Sequence, residues 1–256
     1  MASDRFSGAK LRLRLDQILA ERGLVGSRAR ARDTILRGHV RVDGAVATKP
    51  GQLVASDAAI VLDDPAGSYV SRAALKLQAA LDGFGIEVAG RTALDVGAST
   101  GGFTQVLLQR GAAHVVAIDV GHGQLDADIE ADPRVTAIEG LNARNLAREH
   151  LGGRAIERLV SDVSFISLKL ALPPALALAE AGAIAVLLVK PQFEAGRAAL
   201  GKGGLLRDPA DGPRVAEDLR VWLDGQPGWR ATGLMPSPIT GGDGNAEFLL
   251  AGIKDG

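Results

Sequence analysis

Apolar positions change their period along this chain. Leu15, Ile18 and Leu19 fall at i, i+3 and i+4, the spacing of one helix face, and the pattern stops near Gly23. Ser27 is of N-cap type and precedes a second helical stretch, Arg28 to Arg37, with Ala31 and Ile35 facing inward and Gly38 as its stop. The period then drops to two. Val40 and Val42 alternate with His39 and Arg41, Asp43-Gly44 is a hairpin turn, Lys49-Pro50-Gly51 is another turn, and Ile60-Val61-Leu62 is a closing strand. The acidic, turn-rich stretch Asp63 to Ser68 reads as a linker. After it, Ser71 caps a helix running to about Gly83, with Leu77, Leu81 and Phe84 inward.

From Arg91 onward, short apolar runs alternate with helical stretches. Strands are expected at 92–96, 115–119, 135–139, 157–163 and 184–190, with closing strands near Trp229–Met235 and Asn245–Ala251. Such alternation predicts an α/β fold with a doubly wound, Rossmann-like sheet, preceded by a small α+β domain. The expected division is 1–63, a linker at 64–68, and 69–256. Ala171 to Val189 is the most apolar tract, but Pro173-Pro174, Glu180 and Gly182 interrupt it. It reads as a helix followed by a buried strand, not as a membrane span. Pro191 to Pro209 carries four glycines with Arg197, Lys202 and Arg207, and is expected to be a basic lid over a polyanion.

Composition narrows the chemistry. The chain has 256 residues, is 46% hydrophobic and has no cysteine, which excludes disulfides and thiolate metal sites and fits a reducing, cytoplasmic setting. No N-terminal segment has the pattern of a signal peptide, and no membrane partner is expected. The four histidines, at 39, 114, 122 and 150, form no ligand motif, so no metal is expected. The net charge of −1 hides a split: residues 5–49 hold eleven Lys or Arg against four acids, a balance of +7, and the remainder carries −8. A basic module of that kind suits nucleic acid. Arg28 and Arg32, four apart, share a helix face, and guanidinium groups fit phosphates in bidentate geometry. The candidate RNA contacts are Arg28, Arg32, Arg37, Arg41, Lys49 and Arg72.

The stretch Thr92 to Gly102 carries the main ligand signal. A strand ends in Asp95-Val96, the turn Gly97-Ala98-Ser99-Thr100-Gly101-Gly102 follows, and a helix opens at Phe103 and stops at Gly111. Ligands of open α/β sheets bind beyond the carboxyl ends of the strands. The spacing is not G-x-G-x-x-G, so a dinucleotide pyrophosphate is not required. Asp95 suits a cationic or hydroxyl-bearing group, and Asp119, ending the next strand, suits ribose hydroxyls. A nucleoside with a positive group, such as S-adenosylmethionine, meets both demands. Three more charges stand at strand ends: Asp162, Lys190 after a wholly apolar run, and Glu247 at the start of a strand expected to be antiparallel. Parallel strands aim Asp162 and Lys190 over Asp95 and Gly97.

Two families share these features. Arg14-Leu15-Asp16, Ser27-Arg28, Gly38 to Gly44 and Lys49-Pro50 together resemble the S4 RNA-binding domain. Residues 69–252 resemble the methyltransferase part of the TlyA (haemolysin A) family, similar to FtsJ-type ribose methyltransferases. That second likeness rests on Tyr69-Val70-Ser71-Arg72 with Lys76-Leu77, Asp95 to Phe103, Asp119-Val120-Gly121, Asn142-Ala143-Arg144, Asp162 to Leu168, Val189 to Gly196 and Asn245 to Leu249. It implies 2′-O-methylation of a ribose, on a cytidine, in ribosomal RNA, with ribosomal RNA or a ribosomal subunit as partner. It further implies Lys76, Asp162, Lys190 and Glu247 as the catalytic set. The cofactor contacts it implies are Asp95, Gly97, Ser99, Thr100, Gly101, Gly102, Phe103, Asp119, Asn142 and Asp162. A lysine acts as a base when burial and nearby positive charge make its ammonium less stable, and Lys190 is the candidate. Two other classes stay open on the residues alone: a catalytically silent RNA-binding assembly factor, and a nicotinamide-dependent oxidoreductase.

Overall fold

The helix pair at the start of the chain forms where the apolar spacing places it. In the computed structural model, residues 11–255 are described, and the chain divides into two units, Met1–Ser68 and Tyr69–Gly256. Residues 1–10 of the expected first domain and Gly256 of the second lie outside the described residues. The first unit runs β1 (Arg12–Arg14), α1 (Leu15–Glu21), α2 (Arg28–Leu36), β2 (Val40–Val42), β3 (Ala45–Val46), β4 (Leu53–Ala55) and β5 (Ile60–Leu62). Ser27 Oγ accepts from the Arg30 amide at 3.2 Å, the cap its position predicted. Leu15, Ile18, Leu19, Ala31, Ile35 and Val40 form its buried core. Asp43 and Gly44 both take positive φ, as a tight hairpin between β2 and β3 requires. The β1–β4 ladder escaped the sequence, because three-residue strands carry almost no periodicity.

Residues 64–68, expected as the linker, fall within the first unit. Asp64 accepts from Thr34 Oγ1 at 3.0 Å and from Arg37 Nη2 at 3.0 Å, and so belongs to the first unit. Acidic, turn-forming composition reads as solvated linker, whereas the carboxylate answers a buried threonine and an arginine.

The second unit contains α3 (Ala73–Phe84), β6 (Thr92–Val96), α4 (Gly102–Gln109), β7 (His114–Ile118), α5 (Ala127–Glu130), β8 (Val135–Ile138) and β9 (Ile156–Ser161). It continues with α6 (Leu168–Ala171), α7 (Pro173–Leu178), β10 (Ala179–Val189), α8 (Pro191–Glu194), α9 (Asp211–Asp224), β11 (Trp229–Pro236) and β12 (Phe248–Lys254). Seven strands pair in the order β11-β12-β10-β9-β6-β7-β8, and β12 is antiparallel to both its neighbours, as Glu247 suggested. The order reverses at β6/β9, which opens a crevice above the carboxyl ends of the strands. Apolar residues of both sheet faces are buried, Leu94, Val116, Leu159 and Leu187 on one side and Ala93, Val115, Val160 and Val186 on the other. Continuous apolar runs therefore signalled strands covered on both faces.

Several boundaries differ from the pattern. The helix expected from Ser71 has Arg72 as its N-cap, with Ser71 Oγ accepting from the Ala73 amide. β9 stops at Ser161, which releases Asp162 into the crevice. The tract 171–189 divides at Pro173, because proline suits the first turn of a new helix and not the interior of an old one. β10 starts early, and its register against β9 shifts between Ala179 and Ile184, where Gly182 has φ +79°. The loop 191–209 contains α8 and two 3-10 turns, at Arg197–Ala199 and Lys202–Gly204.

Candidate active site

Strand register brings the expected residues to one crevice. Val96 pairs with Ser161, so Gly97 and Asp162 leave neighbouring strands side by side. Gly97 has φ +86°, and a Cβ there would stand 3.0 Å from the Asp162 carbonyl oxygen, so only glycine fits. Val189 pairs with Phe248, so Lys190 and Glu247 leave adjacent antiparallel strands at one level. α3 supplies Lys76. Its start packs so tightly on α4 that a Cβ on Gly102 would overlap Ser71 Oγ.

The four catalytic candidates form two ion pairs. Lys76 Nζ lies 2.5 Å from Glu247 Oε2, with side chains 6% and 2% exposed. Lys190 Nζ lies 2.6 Å from Asp162 Oδ1, with side chains 11% and 15% exposed. The second contact is a charge pair, and Asp162 Oδ1 makes no hydrogen bond besides it. Lys190 Nζ instead donates to Ser164 Oγ at 2.7 Å.

Beside the Lys190–Asp162 pair, with Asp162 in its wall, is a cavity of about 470 Å³, a volume suited to a nucleoside-sized ligand. Gly97, Ser99, Asp119, Asn142 and Asp162, all candidate cofactor contacts, line it. A smaller pocket of about 110 Å³ shares Gly97, Ser99 and Asp162 and adds Thr100, Gly102 and Phe103. Asp119 accepts from the Ser99 amide at 2.8 Å and the Gly121 amide at 2.7 Å, so its carboxylate holds the glycine turn while facing the cavity. Asn142 Oδ1 accepts from the Arg144 amide and fixes the wall on that side. Gly101 lines neither space; its missing Cβ makes room for Leu125 and Ile129.

Sequence reasoning missed part of the lining: Val120, Gln124, Leu141, Ser164, Phe165 and Ile166. Phe165 is the notable omission. Its side chain is 89% exposed, its φ is +63°, and its ring centroid is 5.1 Å from that of Phe193. An aromatic inside the polar turn Asp162-Val163-Ser164-Phe165 was the available signal.

Asp95, expected to touch the cofactor, is fully buried and lines neither pocket. Thr104 Oγ1 donates to Asp95 Oδ2 at 2.7 Å, and Oδ1 has no partner. Burial pushes its carboxyl up to about 7, against the hydrogen bond from Thr104 and with help from Asp162. The folded protein keeps this proton through the window from about 4 to about 7, where the unfolded chain has lost it. The native state thus binds more protons there, and stability falls as pH rises through that window. Asp95→Asn should flatten this dependence and stabilise the protein at pH 8 by up to about 4 kcal/mol. Urea unfolding at several pH values checks it; an unchanged pH slope would contradict the assignment.

In the first unit, buried Asp16 accepts two hydrogen bonds from Arg14 and lies 3.6 Å from Arg28. Arg28 remains 58% exposed, and Arg32, Arg41 and Lys49 are also exposed. Arg37 differs: it is committed to Asp33 and Asp64 and is only 21% exposed, so it braces the unit. Arg72 is half-buried in the second unit. No helix among the described residues is long and apolar enough to cross a membrane.

Comparison with known proteins agrees with this architecture. The FtsJ-like methyltransferase model matches residues 69–254, and the S4 domain model matches residues 13–60. The 16S/23S rRNA (cytidine-2'-O)-methyltransferase TlyA of Mycobacterium tuberculosis is 48% identical over 93% of this chain and 89% of its own length. Hemolysin A of Brachyspira hyodysenteriae is 39% identical over 93% of this chain and 98% of its own. A solved structure from Streptococcus thermophilus, provisionally named a hemolysin, superposes with a TM-score of 0.76 at 37% identity, covering 96% of this chain and 90% of that one. The chain therefore belongs to the TlyA (haemolysin A) family of FtsJ-like methyltransferases with an S4 domain.

Proposed function

We propose that this chain transfers a methyl group from S-adenosylmethionine to the 2′-hydroxyl of a cytidine ribose in ribosomal RNA. The observation that carries the reading is Lys190 Nζ, held between Asp162 and Ser164 on the rim of a nucleoside-sized cavity. The residues fit the cofactor: Asp119 offers a carboxylate for ribose hydroxyls, and Leu141 and Ile166 offer apolar surface for a base. When bound, S-adenosylmethionine supplies an electrophilic methyl on a sulfonium.

The chain's own residues do the rest. Lys190 takes the hydroxyl proton at Nζ as the ribose oxygen attacks, after giving up its own ammonium proton to solvent. Asp162 and Ser164 fix the direction of that nitrogen, and alignment of this kind supplies much of the rate. Lys76 and Glu247 form a neutral buried pair beside it and hold the substrate face in shape. Phe165, exposed at the mouth above Phe193, is a stacking surface for a base. Calorimetric titration with S-adenosylhomocysteine tests the cofactor half of this reading; absence of binding would contradict it.

The exposed guanidinium groups of the first unit hold the RNA. Arg28→Ala with Arg32→Ala should weaken binding to ribosomal RNA and lower the log–log salt slope by roughly 0.7 to 0.9 for each phosphate no longer neutralised. Both side chains lie on the solvent side of α2, so the helix should persist. Binding isotherms at four salt concentrations decide it, and an unchanged slope would remove these arginines from the RNA contact.

A further inference from the structure

Asn245 is nearly buried, 4% exposed, two residues before Glu247. Its side chain reaches into the loop after α8. Oδ1 accepts from the Leu206 amide at 3.2 Å, and Nδ2 donates to the Gly204 carbonyl at 3.1 Å. An amide donor and a carbonyl acceptor fix the orientation of the side chain, because its oxygen cannot donate and its nitrogen cannot accept. The loop is itself folded. Leu200 and Leu206 form an antiparallel bridge, the Gly201 amide donates to Leu205, and the Arg207 amide donates to Ala199. Arg197, Lys202 and Arg207 are all exposed, with Arg207 Nε donating back to the Leu200 carbonyl at 2.8 Å.

The backbone of Asn245 leads to the catalytic pair. Its carbonyl accepts from the Gly241 amide at 2.8 Å, and a Cβ on Gly241 would lie 2.7 Å from Glu247 Oε1. One residue therefore touches the cationic loop with its side chain and the turn against Glu247 with its main chain. We propose that Asn245 is a positioning residue, tying the basic 197–207 loop to Glu247 so that RNA held on the loop and the Lys76–Glu247 pair are set together. The inference rests on the methyl-transfer reading for its RNA, but not for the tie between loop and turn. Removal of the Asn245 amide leaves Leu206 and Gly204 without these partners and frees the loop, while the cofactor cavity lies on other residues.

The test uses the full chain with Asn245→Ala and Asn245→Asp, the latter keeping the acceptor for Leu206 and losing the donor for Gly204. Trypsin cleavage after Arg197, Lys202 and Arg207 is followed by mass spectrometry, beside S-adenosylhomocysteine affinity, kcat and KM for ribosomal RNA. In Asn245→Ala we expect cleavage about tenfold faster, kcat about tenfold lower, and cofactor affinity within about twofold of the parent. Asn245→Asp should fall between the two and carries the comparison if the alanine variant does not fold. A loop that stays protected, a freed loop with unchanged kcat, or a loss of cofactor affinity would each overturn the proposal. A parent protein without methyl transfer would end the functional reading instead, and trypsin protection would still decide whether Asn245 holds the loop.

Discussion

Lys190→Ala is expected to lower methyl transfer by about 10²–10⁴-fold, the range for removal of a positioned acid or base, with S-adenosylhomocysteine affinity nearly unchanged. The asymmetry follows from placement. Lys190 lies at the end of β10, on Asp162 and Ser164, and is not among the residues lining the cavity. Lys190→Arg should not restore turnover, since a guanidinium stays protonated near neutral pH and cannot take the hydroxyl proton. Ser164→Ala is the milder counterpart, because Asp162 still holds the ammonium. Single-turnover rates with saturating cofactor separate chemistry from binding. Parental turnover in the arginine variant would remove Lys190 from the role of proton acceptor.

Glu247→Ala should be costly to the fold as well as to the reaction. Its carboxylate is the partner of Lys76, and both side chains are nearly excluded from water. Breaking a buried ion pair from one side typically costs about 3–5 kcal/mol, since the remaining charge is stranded. Replacing both, with Lys76→Met and Glu247→Leu, should recover most of that stability without recovering activity, because apolar residues of similar volume avoid the desolvation cost. Urea unfolding of the two variants beside the parent measures this. Equal stability of Glu247→Ala and the parent would show that Lys76 has another partner in the fold.

The sheet was legible because its parallel strands are covered on both faces and read as apolar runs between helices. Glu247 identified the antiparallel strand for a geometric reason: a residue at the start of such a strand lies level with the carboxyl ends of its neighbours. Asp162, Lys190 and Glu247 stood out as charges at strand ends, whose register brings them to one level, while Lys76 and the catalytic roles came only from family resemblance. What stayed hidden depends on tertiary partners. Asp95 reads as a ligand-facing acid, and only Thr104 and the packing around it show that it points inward. Arg37 reads like its neighbours Arg28 and Arg32, yet Asp64, far along the chain, claims it. Ser164, Phe165 and Asn245 act through loop conformation, for which periodicity has no signal.

The central claim is one of chemistry at a named atom, and its most direct test is a transfer reaction. The full chain, S-adenosylmethionine with a tritiated methyl, and isolated ribosomal subunits lacking the modification are incubated together, and the labelled RNA is digested and mapped. The expected result is label in RNA, resistant to alkaline cleavage on its 3′ side, on the ribose oxygen of a cytidine, and absent with Lys190→Ala. Label on a base, label in protein, or RNA bound without any label while cofactor binds would contradict it.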